Sequence, residues 1–168
     1  EAASSLQHHN ICTIHDIDET KDGQIFICMD LYEGETLKKK IESGPLKIDE
    51  AIEILAQIAT GLQKAHEKNI IHRDIKPANI FITKDSLVKV LDFGLAKLSG
   101  QSMITKTGST LGTLAYMSPE QLKGSEVDSR ADIFSLGVVF YEMLTGKLPF
   151  KGDYESALMY SIVNDEPE

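Results

Sequence analysis

The feature that most restricts the fold of this chain is a pair of short, largely apolar runs. Residues 80–82 (Ile-Phe-Ile) and 87–91 (Leu-Val-Lys-Val-Leu) flank the polar Lys84-Asp85-Ser86. Runs of this length bounded by turn-forming residues predict two antiparallel strands of a hairpin. With Thr83 facing Val88, Ile80 falls opposite Leu91, and Asn79 comes opposite Asp92 at the open end. An amide oxygen and a carboxylate then converge. That donor set suits a hard cation such as magnesium, which takes one or two carboxylates plus substrate phosphates rather than a full protein cage. Taken by themselves, Asn79 also reads as a turn residue and Asp92 as the opening of a loop ahead of Gly94.

The surrounding pattern is mixed. Strand-like residues at 12–17 and 24–31 flank Glu19-Thr20-Lys21-Asp22-Gly23, whose Asp-Gly is a strong hairpin signal. Asp49 is positioned to cap a helix reaching about Lys68, with Ile52, Leu55, Ala59 and Leu62 at helical spacing and Asn69 as its stop. Residues 99–113 are rich in Gly, Ser and Thr and lack a hydrophobic period, which predicts a long loop. The stretch 128–145 is apolar on nearly every side, as in a buried helix, and Gly146 followed by Pro149 ends it. Lys38-Lys39-Lys40 reads as the solvated face of a short helix, and residues 1–6 as the end of another. The most apolar run, 133–144, spans only about 18 Å as a helix against a hydrocarbon core of roughly 30 Å, so no membrane contact is predicted within this segment.

Composition narrows the classes further. The 168 residues are 42% hydrophobic and 26% charged, enough for a sizeable core in one domain, and the formal net charge of -9 argues against a nucleic-acid footprint or an anionic membrane surface. Cys12 and Cys28 lack CxxC spacing, so neither a disulfide framework nor a zinc site is predicted, and they read as reduced thiols of a cytoplasmic protein. His8, His9 and His15 have no second cluster to complete a metal site.

Asn79 closes the string His72-Arg73-Asp74-Ile75-Lys76-Pro77-Ala78-Asn79, and Asp92 opens Asp92-Phe93-Gly94. Here the chain resembles the protein kinase family: the strings match the catalytic-loop H-R-D-x-x-x-x-N and the metal-binding D-F-G, in order and at a spacing that a hairpin accounts for. Either motif alone is weak evidence; the pair in register is specific. Gly112-Thr113 through Ser118-Pro119-Glu120 resembles the family's G-T-x-x-Y-x-[AS]-P-E segment, with Ser118 in place of the commoner Ala. Asp132-Ile133-Phe134-Ser135-Leu136-Gly137 is similar to the start of its central helix. The resemblance extends from about Leu6 to the end, and Tyr116-Met117-Ser118-Pro119-Glu120-Gln121 is similar to bacterial serine/threonine kinases. It implies an α+β, protein-kinase-like fold. Residues 1–31 would be the end of the smaller lobe, with the end of its helix and two strands, and residues 32–168 an incomplete, mostly helical larger lobe.

The resemblance also implies roles. Asp74 would orient a substrate hydroxyl and accept its proton, while Asn79 and Asp92 would hold the magnesium ions that bridge the phosphates of ATP. Lys76 would sit near the transferred phosphate and Thr113 would contact the same loop, which points to Ser and Thr hydroxyls of proteins as substrates. Met29-Asp30-Leu31-Tyr32 would link the lobes and meet the adenine ring, with Met29 as gatekeeper; the residues alone read as the end of an edge strand. His72, Phe93 and Gly94 are structural, the first two packing in an internal hydrophobic spine. Asp132, otherwise a plain first-turn carboxylate, would hydrogen-bond the catalytic-loop backbone. Arg73 would pair with a phosphate on Thr105 or Thr107, placed there by a second copy in a homodimer.

The match has gaps. No G-x-G-x-x-G and no V-A-I-K-like strand occurs, so the chain reads as truncated at both ends, and the helix glutamate that pairs with the missing lysine is expected before residue 1, Glu1 being a poorer choice. Glu120 lacks the arginine that normally pairs with it, which would leave a buried carboxylate unpaired. Two classes follow: an ATP-dependent transferase, supported by the intact catalytic set, and a binding or regulatory module that has lost catalysis, supported by the missing elements. Intact Asp74 and Asp92 favour the first for the parent protein, with weak or no activity for these residues alone.

Overall fold

A computed structural model of the chain describes residues 6–93 and 111–167. Strands β1 (Ile14–Glu19) and β2 (Ile25–Met29) form an antiparallel hairpin. The Asp-Gly signal acts as expected. Gly23 takes the left-handed conformation (φ 81°), and the turn closes through Thr20 N–H to Gln24 O at 2.8 Å. A second sheet has the order β3 (Gly34–Thr36), β4 (Ile80–Thr83), β5 (Val88–Val90), antiparallel throughout.

The β4–β5 register differs from the expectation by one residue. Ile80 pairs with Val90 and Ile82 with Val88, so Thr83 meets Leu87 and Asn79 meets Leu91 rather than Asp92. The cause is Ser86, which adopts a left-handed conformation (φ 61°) and closes a three-residue loop, with its N–H on Thr83 O and Leu87 N–H on Thr83 Oγ1. Such loops usually place glycine there, so Ser86 carried no signal. A slip of one residue turns every side chain to the other face.

Helix α1 (Leu37–Glu42) is capped by the Thr36 side chain, and its lysines are largely solvated, Lys40 pairing with Glu50 at 2.8 Å. Helix α2 (Ile48–His66) begins two residues earlier than expected: Lys47 is the cap, and Asp49 lies in the first turn, where its charge suits the helix N-terminus. Asn69 stops it as read, left-handed at φ 56°, with Ile70 N–H returning to Ala65 O. The buried stripe, however, is Ala51, Ile54, Ile58, Gly61, Leu62 and Ala65, whereas Ile52 is 47% exposed and Ala59 also faces solvent. The stripe combines Ile54, Ile58 and Leu62 with small residues. A Cβ at Gly61 would lie 3.1 Å from Asn10 O, so α2 comes close to the Asn10 backbone at that glycine.

The C-terminal half contains α3 (Leu111–Leu114), α4 (Pro119–Leu122), α5 (Arg130–Thr145) and α6 (Glu155–Asn164). Residues 111–113, expected in a loop, form a helical turn; the rest of that loop, 99–110, lies outside the described residues, as does the helix expected at 1–5. Leu6 itself is not helical. Helix α5 starts at Arg130, after Asp128 accepts the Arg130 N–H at 2.9 Å, and ends at a left-handed Gly146. It is not apolar on every face, since Ile133 is 61% exposed. Two cores meet on it. Val139 and Met143 join Leu6, Ile11, Leu37, α2, β4, β5 and Phe93, while Val138 joins Leu114, Met117, Leu122, Phe150, Leu158 and Ile162. Among the described residues no helix is long and apolar enough to cross a membrane.

Gly34 pairs with Thr83 at a φ of 155°, and a Cβ there would overlap Ile82 O and approach Thr83 Cα to 2.8 Å. Gly34→Ala is expected to lower stability by about 2 kcal/mol or more. Urea unfolding of the two proteins measures it, and equal midpoints would contradict this packing.

Candidate active site

The segment between α2 and β4 is held by its own backbone. Asp132, at the start of α5 and 0% exposed, accepts three hydrogen bonds: Oδ2 from His72 N–H (2.9 Å) and His66 Nε2 (2.7 Å), and Oδ1 from Arg73 N–H (2.8 Å). Arg73 is left-handed (φ 70°), a conformation costing about 1–2 kcal/mol that only surrounding contacts can maintain. The expected bond from Asp132 to this backbone is therefore present. His66 was not anticipated.

His72 joins this segment to the end of β5. Its Nδ1 accepts the Asp74 N–H at 3.2 Å, so Nε2 carries the proton and donates to Leu91 O at 2.7 Å. Burial lowers its pKa and favours that neutral form. The ring meets Phe93 edge-on, centroids 4.7 Å apart, which agrees with both residues packing in the core. Leu91 also donates its N–H to Asn79 O at 2.9 Å, so the residue before Asp92 is anchored on both sides. Asp92 then turns left-handed (φ 60°).

Asp74 is the meeting point. Asn79, almost fully buried in the 3₁₀ turn Pro77–Asn79, donates its amide nitrogen to Asp74 O (2.8 Å) and Asp74 Oδ2 (3.0 Å), and Lys76 Nζ lies 2.8 Å from the same oxygen. With its nitrogen committed, Asn79 has its amide oxygen left for a cation. Burial raises the pKa of Asp92 above the ordinary carboxylate value, the charge of Asp74 raises it further, and His72 and Lys76 oppose this. Asn79 and Asp92 are thus related through Asp74 rather than by facing each other across the hairpin. Among the described residues no three His, Cys, Asp or Glu side chains cluster into a cage. A desolvated carboxylate beside a second one, with an amide oxygen nearby, fits magnesium carried on phosphates.

The other predicted residues distribute around this point. Thr113 and Lys76 line one cavity of about 730 Å³, together with Tyr116 and Glu142, which share a 2.6 Å hydrogen bond. Burial raises the pKa of Glu142. Met29 ends β2, and the Asp30 carboxylate accepts from His15 Nε2 (2.6 Å) and Tyr32 hydroxyl (2.9 Å), fixing the strand exit while Leu31 is 97% exposed. Burial and Asp30 push the Tyr32 hydroxyl up to about 12. Asp30 N–H is on Thr13 O at 3.2 Å and Cys12 N–H on Val90 O at 2.9 Å, which ties this exit to the end of β5; burial, with the charges of Asp30 and Asp92, raises the pKa of Cys12. Arg73 Nε is buried and has no hydrogen-bond partner among the described residues. Thr105, Thr107 and Gly94 lie outside the described residues, and Glu120 is half-buried rather than buried. Gln121 was also missed; it donates to Arg73 O at 2.8 Å. The Ser118-x-x-Gln121 capping-box pattern was its available signal.

Comparison with known proteins agrees with this geometry. The family model described as protein kinase domain matches residues 1–167. The chain is 43% identical over 166 residues to a probable serine/threonine-protein kinase of Clostridium acetobutylicum, covering 98% of the chain and 25% of that protein. It is 41% identical over 170 residues to the serine/threonine-protein kinase PknB of Mycobacterium leprae, covering 98% and 27%, and 43% identical over 169 residues to PrkC of Bacillus subtilis, covering 100% and 26%. It spans about a quarter of the length of these relatives. With a match over nearly its whole length and the two motifs joined through His72, Leu91 and Asp74, the chain belongs to the protein kinase domain family.

Proposed function

We propose that this chain supplies the hydroxyl-activating and metal-holding half of a protein serine/threonine kinase, which transfers the γ-phosphoryl group of ATP to Ser or Thr hydroxyls of proteins. The observation that carries the reading is the convergence of Lys76 Nζ and Asn79 Nδ2 on Asp74 Oδ2, at 2.8 and 3.0 Å. A carboxylate held by two donors is oriented before substrate arrives, and positioning supplies most of the catalysis in phosphoryl transfer. Asp74 would accept the hydroxyl proton. Lys76 would bring positive charge to the transferred group, and Asp92 with the Asn79 oxygen would hold magnesium. When bound, that ion neutralises charge developing on the phosphates. The relatives' names support Ser/Thr specificity, and the presence of Lys76 and Thr113 in the lining of one cavity fits the roles the resemblance gives them.

The exit of β2, residues 29–32, would take the adenine ring, and residues 1–31 would be the end of the smaller lobe. The 168 residues alone would transfer phosphate weakly or not at all, since the Gly-rich loop and its lysine are not in this sequence. Arg73, with Nε buried and unpartnered among the described residues, would take a phosphate on Thr105 or Thr107.

Incubation of the parent protein with labelled ATP and a protein substrate, followed by phosphoamino-acid analysis and site mapping, tests these roles together. Asp74→Asn is expected to reduce transfer by about 10²–10⁴-fold, with label on Ser and Thr and on Thr105 or Thr107. Strict tyrosine labelling, or an unimpaired Asp74→Asn protein, would refute the assignment.

Asp92 generates a pH prediction. Its folded pKa is raised, so the stabilising contribution of its protonated form is complete below the ordinary carboxylate value and is lost as pH rises through the raised one. Without magnesium, Asp92→Asn should therefore gain stability over the native chain from about pH 4 upward. Added magnesium and ATP should stabilise only the native chain. Thermal melts across pH report both effects, and a difference that shrinks with rising pH would contradict the sign.

A further inference from the structure

We infer that Gln121 is a positioning residue for Asp74, acting through the carbonyl of Arg73; this rests on the kinase reading above. The Gln121 amide does two jobs. Oε1 accepts the Ser118 N–H at 3.1 Å, while Nε2 donates to Arg73 O at 2.8 Å. Ser118 Oγ accepts Gln121 N–H in return, completing a capping box at the start of α4. Capping needs only the acceptor. The donor is spent outside the helix, on a residue 48 positions earlier in the chain.

That target is the strained one. Arg73 is left-handed, with its N–H on Asp132 Oδ1 and its carbonyl on Gln121 Nε2, both at 2.8 Å. The peptide carrying that carbonyl is the one that begins Asp74, whose own N–H is on His72 Nδ1. Asp132 holds the entry to Arg73. The exit peptide is held at both ends, its N–H by His72 and its carbonyl by Gln121, so Gln121 completes the set of contacts that directs Asp74 away from the strained residue. Gln121 is itself anchored: Ser118 is fully buried, and Leu122 packs in the core that α5 shares. Nothing in the capping role requires this alignment, and the amide bonds the Arg73 carbonyl directly, at 2.8 Å.

Two substitutions separate the roles. Gln121→Glu keeps the acceptor that caps α4 and removes the donor to Arg73; Gln121→Met keeps the approximate shape and removes both. In the parent protein, steady-state transfer from ATP to myelin basic protein is expected to show kcat reduced about tenfold in both variants, with KM for ATP little changed, as for a lost hydrogen bond that orients a reacting group. Hydrogen exchange should rise in peptides covering residues 72–76 of both variants, while residues 118–122 stay protected in Gln121→Glu. Unchanged exchange at 72–76 in Gln121→Glu would overturn the inference whatever the turnover. So would native turnover in Gln121→Glu with loss confined to Gln121→Met, the pattern of a helix cap. A native protein without transfer activity would refute the kinase reading separately, leaving the exchange comparison to decide the role of Gln121.

Discussion

A buried carboxylate organises this chain. Asp132 has no exposure to water and would cost several kcal/mol in isolation. It is retained because His66, His72 and Arg73 direct three donors at its two oxygens. Charge-assisted bonds of this kind are stronger than neutral ones, and two of them are to consecutive backbone N–H groups. They hold Arg73 in a left-handed conformation that an unsupported chain would leave. Helix α5, which both cores bury, is thereby tied to the segment that presents Asp74.

From that anchor the site assembles by short connections. His72 carries the constraint to Leu91 and Phe93, Leu91 returns it to Asn79, and Asn79 grips Asp74 at two oxygens. Asp92 is left beside Asp74 in a partly desolvated position where its charge is disfavoured. Burial is the main cause, and the charge of Asp74 adds to it.

Much of this was legible in the residues. The motif strings, the Asp22-Gly23 turn, the Asn69 stop and the Gly146 terminator were all readable because each rests on a residue type with a distinctive conformational or chemical property. The register of β4 and β5 was not, because the loop that sets it places Ser86 in a conformation that more often belongs to glycine. Periodicity alone misplaced the buried face of α2, since the small Ala51, Gly61 and Ala65 lie in it beside Ile54, Ile58 and Leu62 while Ile52 remains outside. His66 and Gln121 act through long-range bonds to Asp132 and Arg73. A local pattern cannot reveal such partners, although the capping box marked Gln121 as a residue with a defined side-chain geometry.

The site depends on Asp132 holding the backbone of residues 72–74, and amide exchange in Asp132→Asn measures this directly. The substitution puts an NH₂ group where one accepting oxygen stood, so the three donors can no longer all be satisfied. The expected result is faster exchange at His72, Arg73 and Asp74 while the central turns of α2 remain protected. Native exchange rates at those three amides in a folded Asp132→Asn chain would contradict it.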